Sequence, residues 1–264
     1  MIVGPKVRTF VLWFSLGIAF DIFIALGVYA ALPNPTLLLK GVTLERWTKN
    51  KKPIQFTAGP KNKKYVPLHN IPKALQHALL FLEDNRFYIH RGFDMAEIVN
   101  ALQSSFKSGR RLRGASSLSQ QLVKNLYLSP ERTFRRKLLE ALITIKLELS
   151  LPKTKILELY LNSIDWGRGL FGIADASYYY FQKPPHQLDA RECVFLAAIV
   201  PNPSRFSQLD EDLVPKRFVR VQMMRAFEAL YQARLITLAQ YQDVLLRPFG
   251  NKDEPEITEE DLFE

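Results

Sequence analysis

The chain has 264 residues, room for one sizeable domain or two small ones, and its 47% hydrophobic content suffices for a packed core. Lys and Arg outnumber Asp and Glu by 36 to 26, and this formal charge of +10 points toward nucleic acid, an anionic membrane surface or a phosphate-bearing substrate without choosing among them. A single cysteine excludes an internal disulfide, and Cys193, inside the apolar run ECVFLAAIV, reads as inert core packing.

Residues 1–9 form a short N-terminus, and residues 10–32, FVLWFSLGIAFDIFIALGVYAAL, are long enough as a helix to cross a hydrocarbon core of about 30 Å. The run is too long for the apolar region of a signal peptide, and YAALPNP is a weak cleavage signal, so it reads as a retained single-pass anchor. Lys6 and Arg8 precede it, which by the positive-inside rule keeps the N-terminus cytoplasmic and sends the rest across. Lys40, Arg46 and the cluster from Lys49 to Lys52 oppose that orientation from the other side. Asp21, in mid-span, is either a tolerated single acid or a contact with another membrane helix.

Residues 33–70 are rich in Pro, Lys and Asn and read as a membrane-proximal connector, with one short strand at PIQFT. Over residues 71–248 the texture becomes helical. Pro72 suits a first helical position, and Leu75, Ala78, Leu79 and Leu82 give one buried face with Glu83 at its edge. FDMAEIVNALQSSFKSG predicts a second helix ending at Gly109, and SSLSQQLVKNLYL a third. SPERTFRRKLLEALITIKLELSL predicts a long fourth, with Ser129 as its cap and Pro130 at its first position. Helical patterns continue through KTKILELYLN, GIADASYYYF, DARECVFLAAIV, PKRFVRVQMMRAFEALYQARL and TLAQYQDVLL. The expected fold is mainly α without internal repeats, and residues 249–264 read as a solvated acidic tail.

The stretch FLEDNRFYIHRGFD ends a helix in Glu83 and Asp84, against the helix macrodipole, so something other than local stability holds the acids there. A carboxylate at a helix end, beside a second acid and an apolar face, should have a raised pKa that suits proton transfer near neutral pH. The leaving group decides its role. A departing sugar alcohol needs an acid, whereas a pyrophosphate leaves with cationic help and frees the carboxylate to take a proton from the attacking hydroxyl.

Cations crowd the interval from Lys107 to Lys137: Lys107, Arg110, Arg111, Arg113, Lys124, Arg132, Arg135, Arg136 and Lys137, against the lone acid Glu131. On one helix Arg132, Arg136 and Glu140 would share a face, and Glu131 could pair with Arg135. Arg110, Arg111 and Arg135 read as solvated surface near anionic headgroups, whereas Lys124 follows SLSQQLV on a helix too uncharged to be mere surface. In RGASSLSQQLVKN, Gly114 and Ala115 permit close backbone approach, and Ser116, Ser117 and Gln121 can donate to phosphate oxygens. Neither a Walker loop nor a dinucleotide fingerprint is present. On residue chemistry alone this is an anion site beside a carboxylate.

EDNRFYIHRGFD, RGASSLSQQLVKNLYLSPERTFRRKLLEA, KILELYLNSIDWGRGLFGIADASYYYF and ECVFLAAIVPNPSRF, in this order, resemble the signatures of the peptidoglycan glycosyltransferases of the lysozyme-like superfamily, the monofunctional biosynthetic group in particular. The resemblance implies a mainly α, lysozyme-like domain behind the anchor, polymerising lipid II into β-1,4-linked glycan with inversion and release of undecaprenyl pyrophosphate. It implies Glu83 as general base, Glu140 as the second essential carboxylate, and Lys124 and Arg132, helped by Lys137, as cations holding the donor pyrophosphate. Ser116 and Gln121 match polar contacts of the donor site. Asp84 and His90 belong to the first motif with Phe87 and Gly92, either touching substrate or shaping the loop around Glu83. No cofactor is implied, although a divalent cation, Mg or Mn, can bridge the pyrophosphate; His69, His77, His90 and His186 form no ligand-spaced cluster.

The implied partners are lipid II, the growing lipid-linked strand, the membrane and other cell-wall synthesis or division proteins, not nucleic acid. The implied place is the inner (plasma) membrane with the domain on the periplasmic side. Two departures from the family pattern stand out, Ala115 for a glycine and Asp175 with Ser177 where Glu and Ala are frequent. Ser104 to Lys107 spells the Ser-x-x-Lys of transpeptidases by chance, since no Lys-Thr-Gly follows. Two rival readings remain: a membrane-bound lytic transglycosylase or muramidase with Glu83 as general acid, and a non-enzymatic anchor whose basic helices bind acidic lipid or nucleic acid.

Overall fold

The computed structural model of the chain describes residues 5–48, 52–108, 116–206 and 216–246. The expected acidic tail, Lys49, Lys51, Gly109, Arg110, Arg111, Arg113, Gly114 and Ala115 lie outside those residues. The first helix, α1 (Pro5–Ala31), carries Lys6 and Arg8 in its first turn, and its segment Trp13–Ala31 is long and apolar enough to cross a membrane, with none of it buried against the rest of the chain. A single turn, α2 (Leu37–Lys40), leads into an antiparallel hairpin of β1 (Val42–Trp47) and β2 (Pro53–Ala58), with Val42 opposite Ala58 and Trp47 opposite Pro53.

The sequence signalled only the second strand of that hairpin, because the inward set of β1 is Val42, Leu44 and Arg46, and a charge sits where the apolar alternation should continue. Arg46 is nevertheless buried. Its guanidinium lies 4.0 Å over the Phe171 ring and 5.1 Å over that of Phe56, and it donates to the Ser163 carbonyl. Burial lowers its pKa to about 10, with Asp165 acting in the opposite direction. Arg46 therefore belongs to the core and is not one of the cations flanking the anchor.

A 3-10 turn at Leu68–Asn70 precedes α3 (Lys73–Glu83), which buries Leu75, Ala78 and Leu79 as their spacing predicts; Pro72 caps this helix from outside. Then follow α4 (Met95–Ser108), α5 (Leu118–Tyr127), α6 (Phe134–Ser150), α7 (Lys153–Leu161), α8 (Ile173–Phe181), α9 (Ala190–Ile199), the short α10 (Pro203–Phe206), α11 (Arg217–Gln232) and α12 (Leu238–Leu246). Two packing groups build the core: α9 against α3 and α11, and α5 against α6, α7 and β1. From Cys193 to Ile199 helix α9 is buried all round, and burial pushes the Cys193 thiol up to about 12, as fits an inert core residue.

Helix α6 corrects one expectation. It begins at Phe134, capped by Thr133, whose hydroxyl accepts from the Arg136 amide at 3.2 Å, while Ser129 and Pro130 remain in the connecting loop. Both sites carry cap chemistry, and Thr133 is the one whose oxygen meets the orphan amide. Near the far end of α6, buried Lys146 donates to the carbonyls of Tyr29 at 2.7 Å and Leu32 at 2.8 Å, its ammonium 4.5 Å over the Tyr29 ring. A cation on the last carbonyls of α1 is favourable for the helix dipole and fixes where the chain leaves the apolar span. The departure residues also find partners: Asp175 pairs with Lys64 at 2.6 Å, and buried Ser177 donates to the Lys183 carbonyl.

Candidate active site

Glu83 is the last residue of α3, at the edge of the core, and its side chain remains partly open. Its Oε2 accepts from Gln121 Nε2 at 3.0 Å, and Gln121 Oε1 in turn accepts from the Tyr160 hydroxyl at 2.9 Å. Burial raises the pKa of Glu83 and Asp84 adds to the rise, while the Gln121 hydrogen bond and the charge of Lys124 oppose it.

Asp84 explains why two acids end this helix. It is buried, its Oδ1 lies 2.8 Å from His90 Nε2, and its Oδ2 accepts from the Leu118 amide at 2.8 Å. Leu118 opens α5, so this carboxylate sits at the positive end of another helix, where it is favourable. Beside it Ser117 caps α5 in a reciprocal box with Gln120 and donates to the Gly92 carbonyl at 2.5 Å. Gly92 has φ +89°, and a Cβ there would stand 2.9 Å from Thr144 Cγ2 and 3.2 Å from Glu148 Cγ, so the loop lies too close to α6 for any side chain. Asp84 and His90, a buried pair, thus hold the Glu83 loop to the start of α5. Of the two readings the sequence allowed them, this geometry is that of the loop-shaping one.

A cleft of about 530 Å³ opens beside this assembly. Helix α5 lines it with Gln120, Gln121, Lys124 and Asn125, the following loop with Ser129, Pro130 and Arg132, and α6 with Arg136, Lys137 and Glu140. Ser116 lines it ahead of α5, and Trp47 and Thr48 reach in from the hairpin. Glu140 is buried at 2% exposure; its oxygens accept from Arg136 Nη1 at 2.9 Å, from Lys137, and from Gln120 Nε2 at 3.4 Å. Lys124 keeps an open face to the cleft, yet the surrounding walls withdraw enough water to lower its pKa. Arg136 and Lys137 push the same way, while Glu140 and Glu83 oppose.

Glu83, Glu140, Lys124, Lys137, Ser116 and Gln121 therefore gather around one region, and Arg132 joins them from an unexpected direction. Because α6 starts at Phe134, Arg132 shares no helical face with Arg136 and Glu140 and enters the cleft from the loop. Gln121, expected to face phosphate, spends its amide on Glu83. Sequence reasoning passed over Trp47, Thr48, Gln120, Asn125 and Tyr160 and left Arg136 out of the site. The four-residue spacing of Arg136 and Glu140 was a signal for the last, whereas Tyr160 and Trp47 reach the site only through the fold. Among the described residues no group of three or more His, Cys, Asp or Glu side chains gathers as a metal site. Both oxygens of Glu140 are engaged by Arg136, Lys137 and Gln120, and Oε2 of Glu83 by Gln121.

Residues 50–226 match the family model described as Transglycosylase. The chain is 46% identical over 145 residues to the biosynthetic peptidoglycan transglycosylase of Chromobacterium violaceum, covering 55% of this chain and 64% of that protein. It is 39% identical over 196 residues to the protein of the same name from Ectopseudomonas mendocina, 73% of this chain and 78% of the relative. Penicillin-binding protein 1A of Aquifex aeolicus is 33% identical over 261 residues, 94% of this chain but 35% of that longer protein. The chain thus spans about a third of one of these relatives and somewhat under two thirds of another. With the matched segment running from just before β2 into α11 and enclosing every carboxylate and cation of the cleft, the chain belongs to the transglycosylase family.

Proposed function

We propose that this chain polymerises peptidoglycan glycan strands from lipid II, with Glu83 as general base. Glu83 takes the proton of the 4-hydroxyl of the acceptor GlcNAc as that oxygen attacks C1 of the donor MurNAc. The bond from C1 to the pyrophosphate breaks, undecaprenyl pyrophosphate leaves, and the new β-1,4 link forms with inversion. The observation that carries the reading is a carboxylate with a raised pKa next to a cleft walled by Lys124, Arg132, Arg136 and Lys137. Fixed cations stabilise a diphosphate most when its charge grows on departure, and this leaves the carboxylate free to accept a proton. A muramidase expels a sugar alcohol and has no use for such a wall.

In this reading Lys124 and Arg132 contact the diphosphate, Lys137 and Arg136 extend the field, and Glu140 orients them. Ser116 and Asn125 supply neutral hydrogen bonds. The reading needs no resident cofactor, and a Mg or Mn ion would arrive with the diphosphate. The anchor α1 supports a single-pass place in the inner membrane, N-terminus in the cytoplasm and cleft on the periplasmic side. Lipid II and the growing lipid-linked strand are the ligands, with other wall-synthesis or division proteins as companions and no nucleic acid. Detergent-solubilised protein given labelled lipid II should yield a ladder of long glycan on a gel and leave finished glycan intact. Cleavage of finished glycan without polymer would overturn the assignment in favour of a lytic enzyme.

A further inference from the structure

Tyr160 lies on α7, outside the segments that carry the acids and cations, and its side chain is fully buried, with only its hydroxyl reaching the site. That hydroxyl donates to Gln121 Oε1 at 2.9 Å, and the opposite end of the same amide faces two acceptors: Glu83 Oε2 at 3.0 Å and the Ser116 carbonyl at 3.4 Å. Only one orientation of the amide serves all three. Turned over, it would set its oxygen against the ionised carboxylate and the Ser116 carbonyl and leave the tyrosine proton without an acceptor. The reversed arrangement suits a protonated Glu83, which could donate to the amide oxygen.

We propose that Tyr160 is a positioning residue that locks the Gln121 amide with its nitrogen toward Glu83 and thereby biases this carboxylate toward the ionised, proton-accepting form. The inference rests on Glu83 acting as the base. The groups acting directly on Glu83 are Asp84 beside it and Lys124 and Gln121 on α5, and Tyr160 on α7 reaches it through Gln121. Burial, reinforced by Glu83 and Asp84, holds the phenol's pKa far above its ordinary value, so the donor stays neutral over the working range. A phenylalanine would fill the same volume, so packing alone does not require the hydroxyl. What the hydroxyl adds is a direction for the amide.

The test uses the full chain in detergent, with 13C-labelled glutamate side chains and Glu83→Gln to assign the Glu83 carboxyl signal. Tyr160→Phe should melt with the parent, move the Glu83 titration to higher pH, shift the acid limb of kcat the same way, and lower kcat on that limb about fivefold with KM unchanged. Gln121→Met should move the titration in the same direction, and the double variant should move it no further than Gln121→Met alone, because both act through one amide. An unmoved titration in a folded Tyr160→Phe protein would overturn the proposal. So would additive shifts in the double variant. If the parent makes no polymer while the carboxyl titration still responds to Tyr160→Phe, the relay stands and the polymerase reading falls.

Discussion

Glu140 in the cleft and Glu83 beside it are served by adjacent glutamines, and their surroundings differ. Gln121 donates to Glu83 at 3.0 Å, backed by a tyrosine hydroxyl, with the buried Asp84 beside it and the charge of Lys124 acting from α5. Gln120 donates to Glu140 at 3.4 Å, and there the rest is cationic: Arg136 at 2.9 Å and Lys137. Burial raises the proton affinity of Glu83 although the Gln121 hydrogen bond opposes the rise, whereas Glu140, clasped by Arg136 and Lys137, serves as a strut between two cations. In the proposed reading the same residue type exchanges a proton on one side and aims positive charge on the other.

Replacing the exchanging acid should have the largest kinetic effect. Glu83→Gln is expected to lower kcat by about 10²- to 10⁴-fold, the usual contribution of a general base, as read from single-turnover product formation. Its effect on stability should run the other way. Folding raises the pKa of Glu83, so the native state takes up a proton as pH falls from the raised pKa toward the ordinary carboxylate value, and stability is lost as pH rises through that window. Melting of Glu83→Gln should therefore exceed that of the parent at neutral pH, and the gain should vanish in acid, where both are uncharged.

On the basic side Lys124→Ala and Arg132→Ala should each lower kcat/KM by about 10²- to 10³-fold, as loss of a charge stabiliser does, with the melting temperature little changed because both side chains are exposed. Glu140→Ala should act through stability, costing about 1–3 kcal/mol by leaving the partly buried Arg136 without its partner, and a denaturant titration would register it. A Glu140 variant as stable as the parent would remove the strut from the account. The smallest effect is expected at the rim: Trp47→Ala should raise KM about threefold to tenfold if the indole face covers part of the bound substrate, without moving the acid limb of kcat.

Much of this was legible because the chemistry lies in contiguous runs. Glu83 stood out by ending a helix in acid, Lys124 by its charge on a neutral helix, and Glu140 by its spacing from Arg136. What stayed hidden shares one cause. Arg46 breaks the alternation of β1 because its charge is satisfied by two aromatic faces and a carbonyl distant in sequence. The start of α6 was misplaced since Ser129 and Thr133 both have cap chemistry, and only the folded backbone selects one. Tyr160 reads as a core aromatic on α7, which it is, apart from one hydroxyl that the packing of α7 on α5 delivers to Gln121. Trp47 lies in a connector that carries no motif, ahead of the segment matching the family model, and meets the cleft only because β1 packs on α5.

The division of labour between the two carboxylate surroundings is the central claim, and equilibrium binding of lipid II tests it most directly. Glu83→Gln should bind lipid II as tightly as the parent while forming polymer at least about 10²-fold more slowly, and Lys124→Ala should bind it far more weakly although Glu83 is intact. Loss of binding in a folded Glu83→Gln protein, or parent-like binding by Lys124→Ala, would contradict the separation of proton transfer from diphosphate capture.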